Sequence, residues 1–372
     1  MGGTSTVVNV LAKAFVSEGH FCALGYMDDS NHPSVFFKDK IKLVKENRIE
    51  AECFFNKFNF HIIYNTQAID TDFDFLKSFI STKCRIVSAY HNRPQLRYLS
   101  FESLLELFYE SNNFFYKLYT LCKIPLLPIW KYNSQQIQRI AFKKMVDNSD
   151  IIQLLSPKFI PAFLKIVPNT KIHKVIAIEN PIVFDSIYPI EYLNQKSKKI
   201  LVVCSVNYQK RAYLLIRIWA ELEKDPALQD WSFDFVGGGP GYERLKKLAK
   251  NLKLERIIFL DYQNPEKYYH DSSIFMMTSR FEGWPMVLME AMQMGVVPVV
   301  YNSFESLSDI VIDGENGYII PNNDLVFFVK KIKYLMLNEA IRYKMAQKGI
   351  VYSNRFTIDK ISKKYLELFN SI

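Results

Sequence analysis

The sequence predicts an α/β protein made of two domains with parallel sheets, and three observations lead to this prediction. Strand-like and helix-like segments alternate along the chain, which is the pattern of parallel α/β folds. The 372 residues, 49% of them hydrophobic and 23% charged, suffice for two globular domains of ordinary size. Asn180-Pro181 and the polar stretch Glu191–Lys199 mark a boundary, so we divide the chain into residues 1–185 and 186–352, followed by a terminal helix within 353–372.

The first domain begins with a helix and continues with strand-like segments. Val7, Leu11 and Phe15 fall on one helical face, and Gly19 ends that helix because glycine tolerates the left-handed backbone that follows many helices. Apolar runs bounded by polar or turn residues then predict strands at Phe21–Tyr26, His61–Asn65, Cys84–Tyr90, Ile151–Ser156 and Val175–Asn180.

The second domain repeats the alternation of strands and helices. Apolar runs of strand length predict strands at Lys199–Val206, Trp231–Gly237, Arg256–Tyr262, Ser272–Ser279, Val296–Tyr301 and Gly317–Pro321. Helical spacing of apolar residues predicts helices at Tyr213–Leu222 and Tyr242–Asn251, and an amphipathic C-terminal helix at Ser353–Phe369.

The chain opens with Met1, Gly2 and Gly3 and enters a helix directly. A glycine loop at a helix start normally follows a strand, which places the loop at the carboxyl edge of the sheet. Such a central strand buries several aliphatic side chains, which together contribute roughly 6–12 kcal/mol. Because the whole stability of a domain is about 5–15 kcal/mol, we expect that Met1 is internal or that the gene is truncated, and that the native product begins upstream.

Composition and cysteine usage exclude several classes of protein. The five cysteines are scattered, odd in number and form no C-x-x-C pair, which indicates reduced thiols in a cytoplasmic setting and argues against a disulfide frame or a zinc site. Neither a signal peptide nor an apolar run of about 18 residues is visible, so no bilayer-spanning helix is predicted. The net charge of +9 comes without a nucleic-acid-binding motif, so nucleic acid is not a predicted partner.

Basic and aromatic residues interleave in one part of the first domain. The stretch Arg85–Val146 has an excess of Lys and Arg over Glu, and it contains the aromatic-rich run Phe114–Tyr132. This composition is typical of a segment that lies on an anionic membrane surface. It predicts a protein of the cytoplasm that associates peripherally with the inner face of the plasma membrane. Packing of the same aromatic residues in a core explains the pattern equally well.

The segment from Ser279 to Asp324 carries the clearest functional pattern. Glu282 and Glu290 lie on either side of a Gly-Trp-Pro turn, and Pro285 stands at a first-turn position of a helix predicted at Met286–Met294. The free N–H groups and the positive dipole end of such a helix start suit a phosphate. Carboxylates accept hydrogen bonds from hydroxyl groups. The segment therefore combines a phosphate-binding site with two groups that bind sugar hydroxyls.

Three motifs in this segment resemble a known enzyme family. E-G-x-P is followed by E-A-M-x-x-G-x-x-P-V-V and then by D-G-x-N-G-x-x-x-P. This order is similar to the donor-site signature of the retaining nucleotide-sugar glycosyltransferases of family 4. The resemblance implies the GT-B fold, in which two Rossmann-like domains face each other across a cleft. It also implies that residues 1–185 form the acceptor side, that 186–352 bind the donor, and that the helix within 353–372 returns to the first domain.

The resemblance assigns roles to individual residues. Glu282 corresponds to the glutamate that faces the donor sugar, and Glu290 to the one that holds the ribose hydroxyls. Lys210 corresponds to the lysine that neutralises the leaving diphosphate, whereas Ser205 stands in place of the family's arginine and Arg211 in place of its glycine. We expect Arg211 to compensate in part for the missing arginine. The resemblance further places the donor against Gly2, Gly3, Gly238, Tyr262, Gly283, Trp284, Pro285, Met286 and Val287.

His91 is the candidate residue of the first domain. It follows the predicted strand Cys84–Tyr90 directly, and ligands of α/β proteins bind at the carboxyl ends of strands. In the family a histidine at this place contacts the donor sugar across the cleft. The alternative for His91 is a structural role, as a histidine that caps a loop. The alternative for Lys210 is that it is a solvated surface lysine without a role in binding.

These observations predict a retaining glycosyltransferase that uses a nucleoside-diphosphate sugar, UDP-linked in our interpretation. The acceptor would be a glycan or a lipid-linked precursor of a surface polysaccharide. The resemblance implies that neither a metal nor another cofactor is needed, because the helix start and Lys210 stabilise the negative charge of the diphosphate in place of a metal cation. Two alternatives stay open: a nucleotide-sugar epimerase or hydrolase of the same fold, and a truncated, inactive paralogue that only binds partners.

Overall fold

The computed structural model describes residues 3–26, 37–96 and 122–372 of the chain. By their internal contacts these residues divide into two compact units. The first unit contains residues 3–26, 37–96, Pro125–Val183 and Phe356–Ile372, and the second contains 122–124 and Phe184–Arg355. The observed bounds Val183 and Phe356 lie close to the predicted bounds at 185 and 353.

The first unit contains parallel strands in two separate sheets. Strands β1 (Leu24–Tyr26) and β2 (Lys40–Lys42) pair with each other, with Gly25 opposite Ile41. The other sheet has four parallel strands in the order β3-β4-β5-β6, and these strands are β3 (Ile62–Asn65), β4 (Arg85–Tyr90), β5 (Ile151–Leu154) and β6 (Val175–Ala177). The predicted strands are confirmed with shorter bounds, whereas β2 was not predicted.

Helices cover the strands of the first unit. These are α1 (Gly3–Ser17), α2 (Arg48–Phe58), α3 (Phe73–Lys77), α4 (Leu127–Asn148) and α5 (Ile160–Ile166). In α1 the predicted inner face is confirmed for Val7 and Leu11, which are buried, while Phe15 is partly exposed. Gly19 has a φ of +88° after the end of α1, as a glycine that terminates a helix does.

The second unit is built on one six-stranded parallel sheet. Its strands are β7 (Lys199–Val203), β8 (Ser232–Val236), β9 (Ile257–Leu260), β10 (Ile274–Met277), β11 (Val297–Tyr301) and β12 (Tyr318–Ile320), in the order β12-β11-β10-β7-β8-β9. The strand order reverses direction between β7 and β10. Loops that leave the carboxyl ends of two such strands diverge and open a crevice, which is where ligands of doubly wound sheets bind.

The second unit also contains six helices, three of which the sequence predicts, at Tyr213–Leu222, Tyr242–Asn251 and Met286–Met294. They are α6 (Ala212–Glu223), α7 (Tyr242–Asn251), α8 (Glu266–Asp271), α9 (Met286–Gln293), α10 (Leu325–Leu337) and α11 (Glu339–Ser353). Because helices cover both faces of the sheet, the central strands are apolar along their whole length. Ile200, Phe233 and Phe275 accordingly expose at most 1% of their surface.

The predicted C-terminal helix Ser353–Phe369 is wrong at its start. Ser353 ends α11, a 3-10 turn follows at Asn354–Phe356, and α12 spans Ile358–Asn370. Helix α12 belongs to the first unit, as the resemblance implied. The Tyr365 ring packs edge-on against Phe15 of α1 with 6.3 Å between ring centroids, and its hydroxyl lies 3.0 Å from that of Tyr64 in β3.

In the described part of the chain, β1 pairs only with β2 and β3 pairs only with β4, so the first unit contains two separate sheets.

Three further observations bear on the sequence predictions. All five cysteines are free thiols. Within residues 3–26, 37–96 and 122–372, no helix combines the length and the apolar character that crossing a membrane requires. Gly2 and the part of the Phe114–Tyr132 run before residue 122 lie outside the described residues.

Candidate active site

The loops that follow β7 and β10 meet at the point where the sheet order reverses. Lys210, on the first loop, places its Nζ 2.6 Å from Oε1 of Glu282 on the second loop. Glu282 exposes 7% of its surface, and a carboxylate buried to this extent needs a charged partner. The structure thus brings together two of the three predicted catalytic residues, although they are far apart in sequence.

Gln209 completes the environment of the Glu282 carboxylate. Its Nε2 donates to the other carboxylate oxygen, Oε2, at 3.1 Å and to the backbone carbonyl of Phe281 at 2.8 Å. The two oxygens of Glu282 therefore have different donors, one from Lys210 and one from Gln209. The sequence did not single out Gln209; the available signal was its position next to Lys210 in the loop after β7.

Hydrogen bonds to the backbone hold the loops after β7 and β10 together. The amide of Arg280 donates to the carbonyl of Gln209 at 2.7 Å, and the hydroxyl of Thr278 donates to the carbonyl of Lys210 at 3.1 Å. On the other side, Asn207 accepts the amide of Lys210 at 3.2 Å and donates to the hydroxyl of Ser205 at 2.9 Å. Gln209 and Lys210 are therefore fixed at the backbone as well as by their side chains.

Arg211 does not take the predicted place in donor binding. Its guanidinium is buried and donates to the carbonyls of Thr278 and Ser279, at 2.6 and 3.1 Å, and to the side-chain oxygens of Asn322 and Asn323, at 2.8 and 2.6 Å. Because the guanidinium donates its N–H groups to these four acceptors, it has no pair of N–H groups left to bind a phosphate. The contacts argue against the prediction that Arg211 compensates for the missing arginine, because the side chain turns into the protein.

The Gly-Trp-Pro turn leads into α9 as predicted, with a shift of one residue. Pro285 caps the helix instead of occupying its first turn, and α9 begins at Met286. The carbonyl of Gly283 accepts a hydrogen bond from the hydroxyl of Ser306 at 2.6 Å, and Trp284 is buried. Met286 and Val287 form the first turn of α9 and are partly exposed.

Glu290 lies in the second turn of α9 and faces a tyrosine. The hydroxyl of Tyr269 in α8 donates to the carbonyl oxygen of Val287 at 3.3 Å. Burial raises the pKa of Glu290 to about 7, and the interaction of the Tyr269 hydroxyl with the Glu290 carboxyl acts to lower the pKa of that group. The carboxyl therefore titrates close to neutral pH. Tyr269 is a partner that the sequence did not predict.

The glycine-rich loop after β8 packs against the chain that leaves β7. Gly237 and Gly239 have φ angles of +145° and +128°, and a Cβ at Gly237 would lie 1.9 Å from the carbonyl oxygen of Cys204. Glycine is required here because of this close backbone approach. A Cβ at Gly238 would lie 3.1 Å from the ring of Tyr262, whose surface is 71% exposed. Gly238 and Tyr262, two predicted donor-binding residues, are thus in contact.

His91 follows β4 in the first unit. Burial lowers its pKa to about 4, so the imidazole is neutral at pH 7. Neither ring nitrogen has a hydrogen-bond partner among the residues that the structure describes, and the ring packs edge-on against Tyr64. A buried imidazole with two unused polar atoms is typical of a site that completes its hydrogen bonds with a ligand. Gly3, the other candidate of this unit, opens α1.

Across the described ranges, no group of three His, Cys, Asp or Glu side chains is placed to hold a metal ion. The positive charge next to Glu282 comes from Lys210.

Comparison with solved structures identifies the fold class. The chain superposes on the crystal structure of the Anabaena protein HepE in complex with UDP-glucose with a TM-score of 0.71 and 17% sequence identity. The superposition covers 100% of this chain and 97% of that one. The fold is that of the GT-B class, an α/β architecture of two Rossmann-like domains, as the sequence predicts.

Comparison of sequences adds a family match for the second unit. Residues 184–352 match the model of the family described as glycosyl transferases group 1. The chain is 31% identical over 198 residues to an uncharacterized glycosyltransferase of Haemophilus influenzae. The aligned region covers 52% of this chain and 55% of that protein. It is also 31% identical over 169 residues to the poly(ribitol-phosphate) alpha-N-acetylglucosaminyltransferase of Staphylococcus aureus. This aligned region covers 44% of this chain and 33% of that protein. The matches therefore span about half or less of these relatives.

Proposed function

We propose that this protein is a retaining glycosyltransferase that transfers a hexosyl group from a UDP-sugar to a glycan or lipid-linked acceptor in the synthesis of a surface polysaccharide. The Lys210–Glu282 pair where the loops after β7 and β10 meet carries the proposal. Similar proteins support it: the Staphylococcus aureus relative is a poly(ribitol-phosphate) alpha-N-acetylglucosaminyltransferase, and HepE was crystallised with UDP-glucose.

The pair has hydrogen-bonding capacity left for a donor. The Lys210 ammonium has three N–H groups, of which Glu282 takes one, so the others are available to diphosphate oxygens. The Glu282 carboxylate has about four acceptor positions and uses two of them, on Lys210 and Gln209. The remaining positions suit hydroxyl groups of the donor sugar.

The proposed reaction breaks the bond between the anomeric carbon and the diphosphate oxygen. The acceptor oxygen forms its new bond on the same face of the sugar, and the departing phosphate takes the acceptor proton. Lys210 and the amino-terminal end of α9 stabilise the negative charge that develops on the diphosphate, which makes a metal ion unnecessary in this proposal. Glu282 acts as a hydrogen-bond acceptor and not as a nucleophile, because both of its oxygens are already held by donors.

The other predicted residues take supporting roles in this proposal. Glu290 accepts the ribose hydroxyls, and Gly238 and Tyr262 border the nucleotide. His91, neutral at pH 7, offers one donor and one acceptor nitrogen to a sugar hydroxyl.

The test is turnover of UDP-glucose, UDP-galactose and UDP-N-acetylglucosamine, measured as release of UDP with and without oligosaccharide acceptors. We expect Glu282→Ala and Lys210→Ala each to lower turnover at least about a hundredfold while the protein stays folded by circular dichroism. Glu255→Ala and Lys250→Ala, exposed positions of the same unit, are matched controls. Wild-type turnover in either site variant refutes the assignment, and an epimerised sugar nucleotide without transfer indicates an epimerase instead.

We further propose that α4 rests on an anionic membrane surface and brings the enzyme to a lipid-linked acceptor at the cytoplasmic face. Ile129, Ile137 and Ile140 are each more than half exposed and lie on one side of this helix, and Arg139 and Lys143 are exposed at the edge of that side. Flotation with phosphatidylglycerol vesicles at low salt should carry the wild type and not the Ile137→Ser/Ile140→Ser variant. Equal flotation of both proteins, or of neither, contradicts the proposal.

A further inference from the structure

We infer that Gln209 is a positioning residue that orients the Glu282 carboxylate toward the donor sugar, an inference that rests on the proposed function. Its side-chain nitrogen has two N–H groups, and both have acceptors: the Phe281 carbonyl at 2.8 Å and Glu282 Oε2 at 3.1 Å. Because both partners can only accept, the atom facing them must be the amide nitrogen. The orientation of the Gln209 side chain is therefore unambiguous.

The two bonds fix Glu282 relative to its own backbone. Phe281 precedes Glu282 in the chain, so one amide group of Gln209 holds both the backbone and the carboxylate of the same loop. Gln209 itself is held, because its carbonyl accepts the amide of Arg280 at 2.7 Å. Rotation of the carboxylate would break the bond at Oε2 and leave a buried N–H without a partner, which is unfavourable.

Lys210 cannot perform this task alone. Its ammonium is a compact charge on a flexible stem, and a diphosphate that binds to its other N–H groups attracts it away from Glu282. Gln209 carries no charge, so a phosphate does not attract it in this way. It keeps Oε2 in place when the Lys210 ammonium moves toward the diphosphate, so the carboxylate retains its orientation throughout the reaction.

The experiment separates positioning from folding and from nucleotide binding. For the wild type, Gln209→Leu and the exposed control Gln347→Leu, we would measure kcat and KM for the same three sugar nucleotides, the Kd of UDP by calorimetry, and the Tm. In Gln209→Leu we expect kcat to fall about tenfold to a hundredfold, with the Kd of UDP within about twofold of the wild type. Gln347→Leu should behave as the wild type.

A second variant supplies a pH profile that a merely structural role would not produce. In Gln209→Glu two carboxylates face each other, and only a proton shared between them restores the bond to Oε2. We expect its kcat relative to the wild type to rise as the pH falls from 8 toward 5.5. In Gln209→Asn the amide is retained on a shorter stem, so kcat should recover only in part.

The outcomes distinguish the inference from the proposed function. Unchanged kcat in Gln209→Leu, or a joint loss of kcat, UDP affinity and Tm, overturns the positioning role alone. A flat relative pH profile in Gln209→Glu does the same. A wild type that binds no UDP, or that turns over none of the three sugar nucleotides, overturns the proposed function and this inference with it.

Discussion

Arg211 combines an unfavourable backbone with a favourable side-chain environment. Its φ of +49° lies in the left-handed region, which costs a residue with a Cβ about 1–2 kcal/mol relative to glycine. Its guanidinium donates four hydrogen bonds, and bonds to charged groups contribute about 1.5–3 kcal/mol each. The hydrogen bonds outweigh the backbone strain, which explains how an arginine occupies a position with a left-handed backbone.

We therefore predict that Arg211→Gly destabilises the protein, although it relieves the strain. The expected loss is about 2 kcal/mol or more, because the carbonyls of Thr278 and Ser279 lose their donor. Asn323→Gly is the matched control, since Asn323 is also left-handed, at +67°, and holds only one of these bonds. Urea unfolding measures both changes, and a larger loss in Asn323→Gly than in Arg211→Gly would contradict the explanation.

Glu290 predicts a pH dependence of donor binding. Its pKa of about 7, raised by burial, means that the folded protein binds a proton that the unfolded chain releases near 4.5. The contribution of Glu290 to the stability of the folded protein therefore decreases as the pH rises from 4.5 to 7. Ribose hydroxyls favour the ionised form, so the affinity for UDP-glucose should rise about tenfold from pH 6 to 8. Calorimetry with Glu290→Gln should show no such rise; an equal rise in both proteins refutes the role of Glu290.

Helix α12 is tied to the first unit by a few buried side chains. Tyr365 is fully buried, contacts Phe15 and shares a hydrogen bond with Tyr64, and Lys364 pairs with Glu179 at 2.7 Å. An isolated helix of this length is marginally stable in water, so its packing decides whether it forms.

At this scale we predict that Tyr365→Ala destabilises the first unit by about 3–5 kcal/mol through the cavity that it leaves. Tyr365→Phe should cost about 1 kcal/mol, because it removes only the hydroxyl bonded to Tyr64. Tyr132→Ala, at a position 63% exposed, is the control. Chemical denaturation followed by circular dichroism measures all three, and equal losses in Tyr365→Ala and Tyr132→Ala would contradict the packing argument.

The two units differ in how completely their sheets are paired. The second unit has six strands in one sheet, whereas β1 and β2 of the first unit form a two-stranded sheet of three residues each. A two-stranded sheet is stable only when other elements support it. Ala12, Leu24 and Phe37 form the small buried cluster beside β1.

We predict that this difference appears in amide hydrogen exchange of the whole protein. Amides of β1 and β2 should exchange at least about tenfold faster than those of β7 and β10, because local opening there breaks few contacts. Amides of β4 and β5, which lie inside the four-stranded sheet, provide the comparison within the same unit. Exchange followed by mass spectrometry resolves these segments, and equal protection of β1 and β4 would contradict the prediction.

Much of the architecture follows from local patterns in the sequence. Except for β2, the strands of both units and the helix start at Met286 were predictable, since apolar periodicity and turn residues are local properties. Glu282 and Lys210 were identifiable as candidates because their motifs resemble those of a known family, and His91 also because it follows a predicted strand. The start of the last helix was predicted at Ser353 and lies at Ile358, because Ser353 ends α11, a 3-10 turn at Asn354–Phe356 follows, and the two helices belong to different units.

The sequence by itself determined the fold class and the segments that supply the candidate site. Only the tertiary structure decided which side chains meet: Lys210 with Glu282, Gln209 with the same carboxylate, Glu290 with Tyr269, and Arg211 with interior carbonyls. The physical reason is that Lys210 and Glu282 lie on loops after strands that are distant in sequence and adjacent in the sheet. Periodicity describes each strand alone, whereas the order of strands, and hence the pairing of their loops, depends on packing of the whole unit.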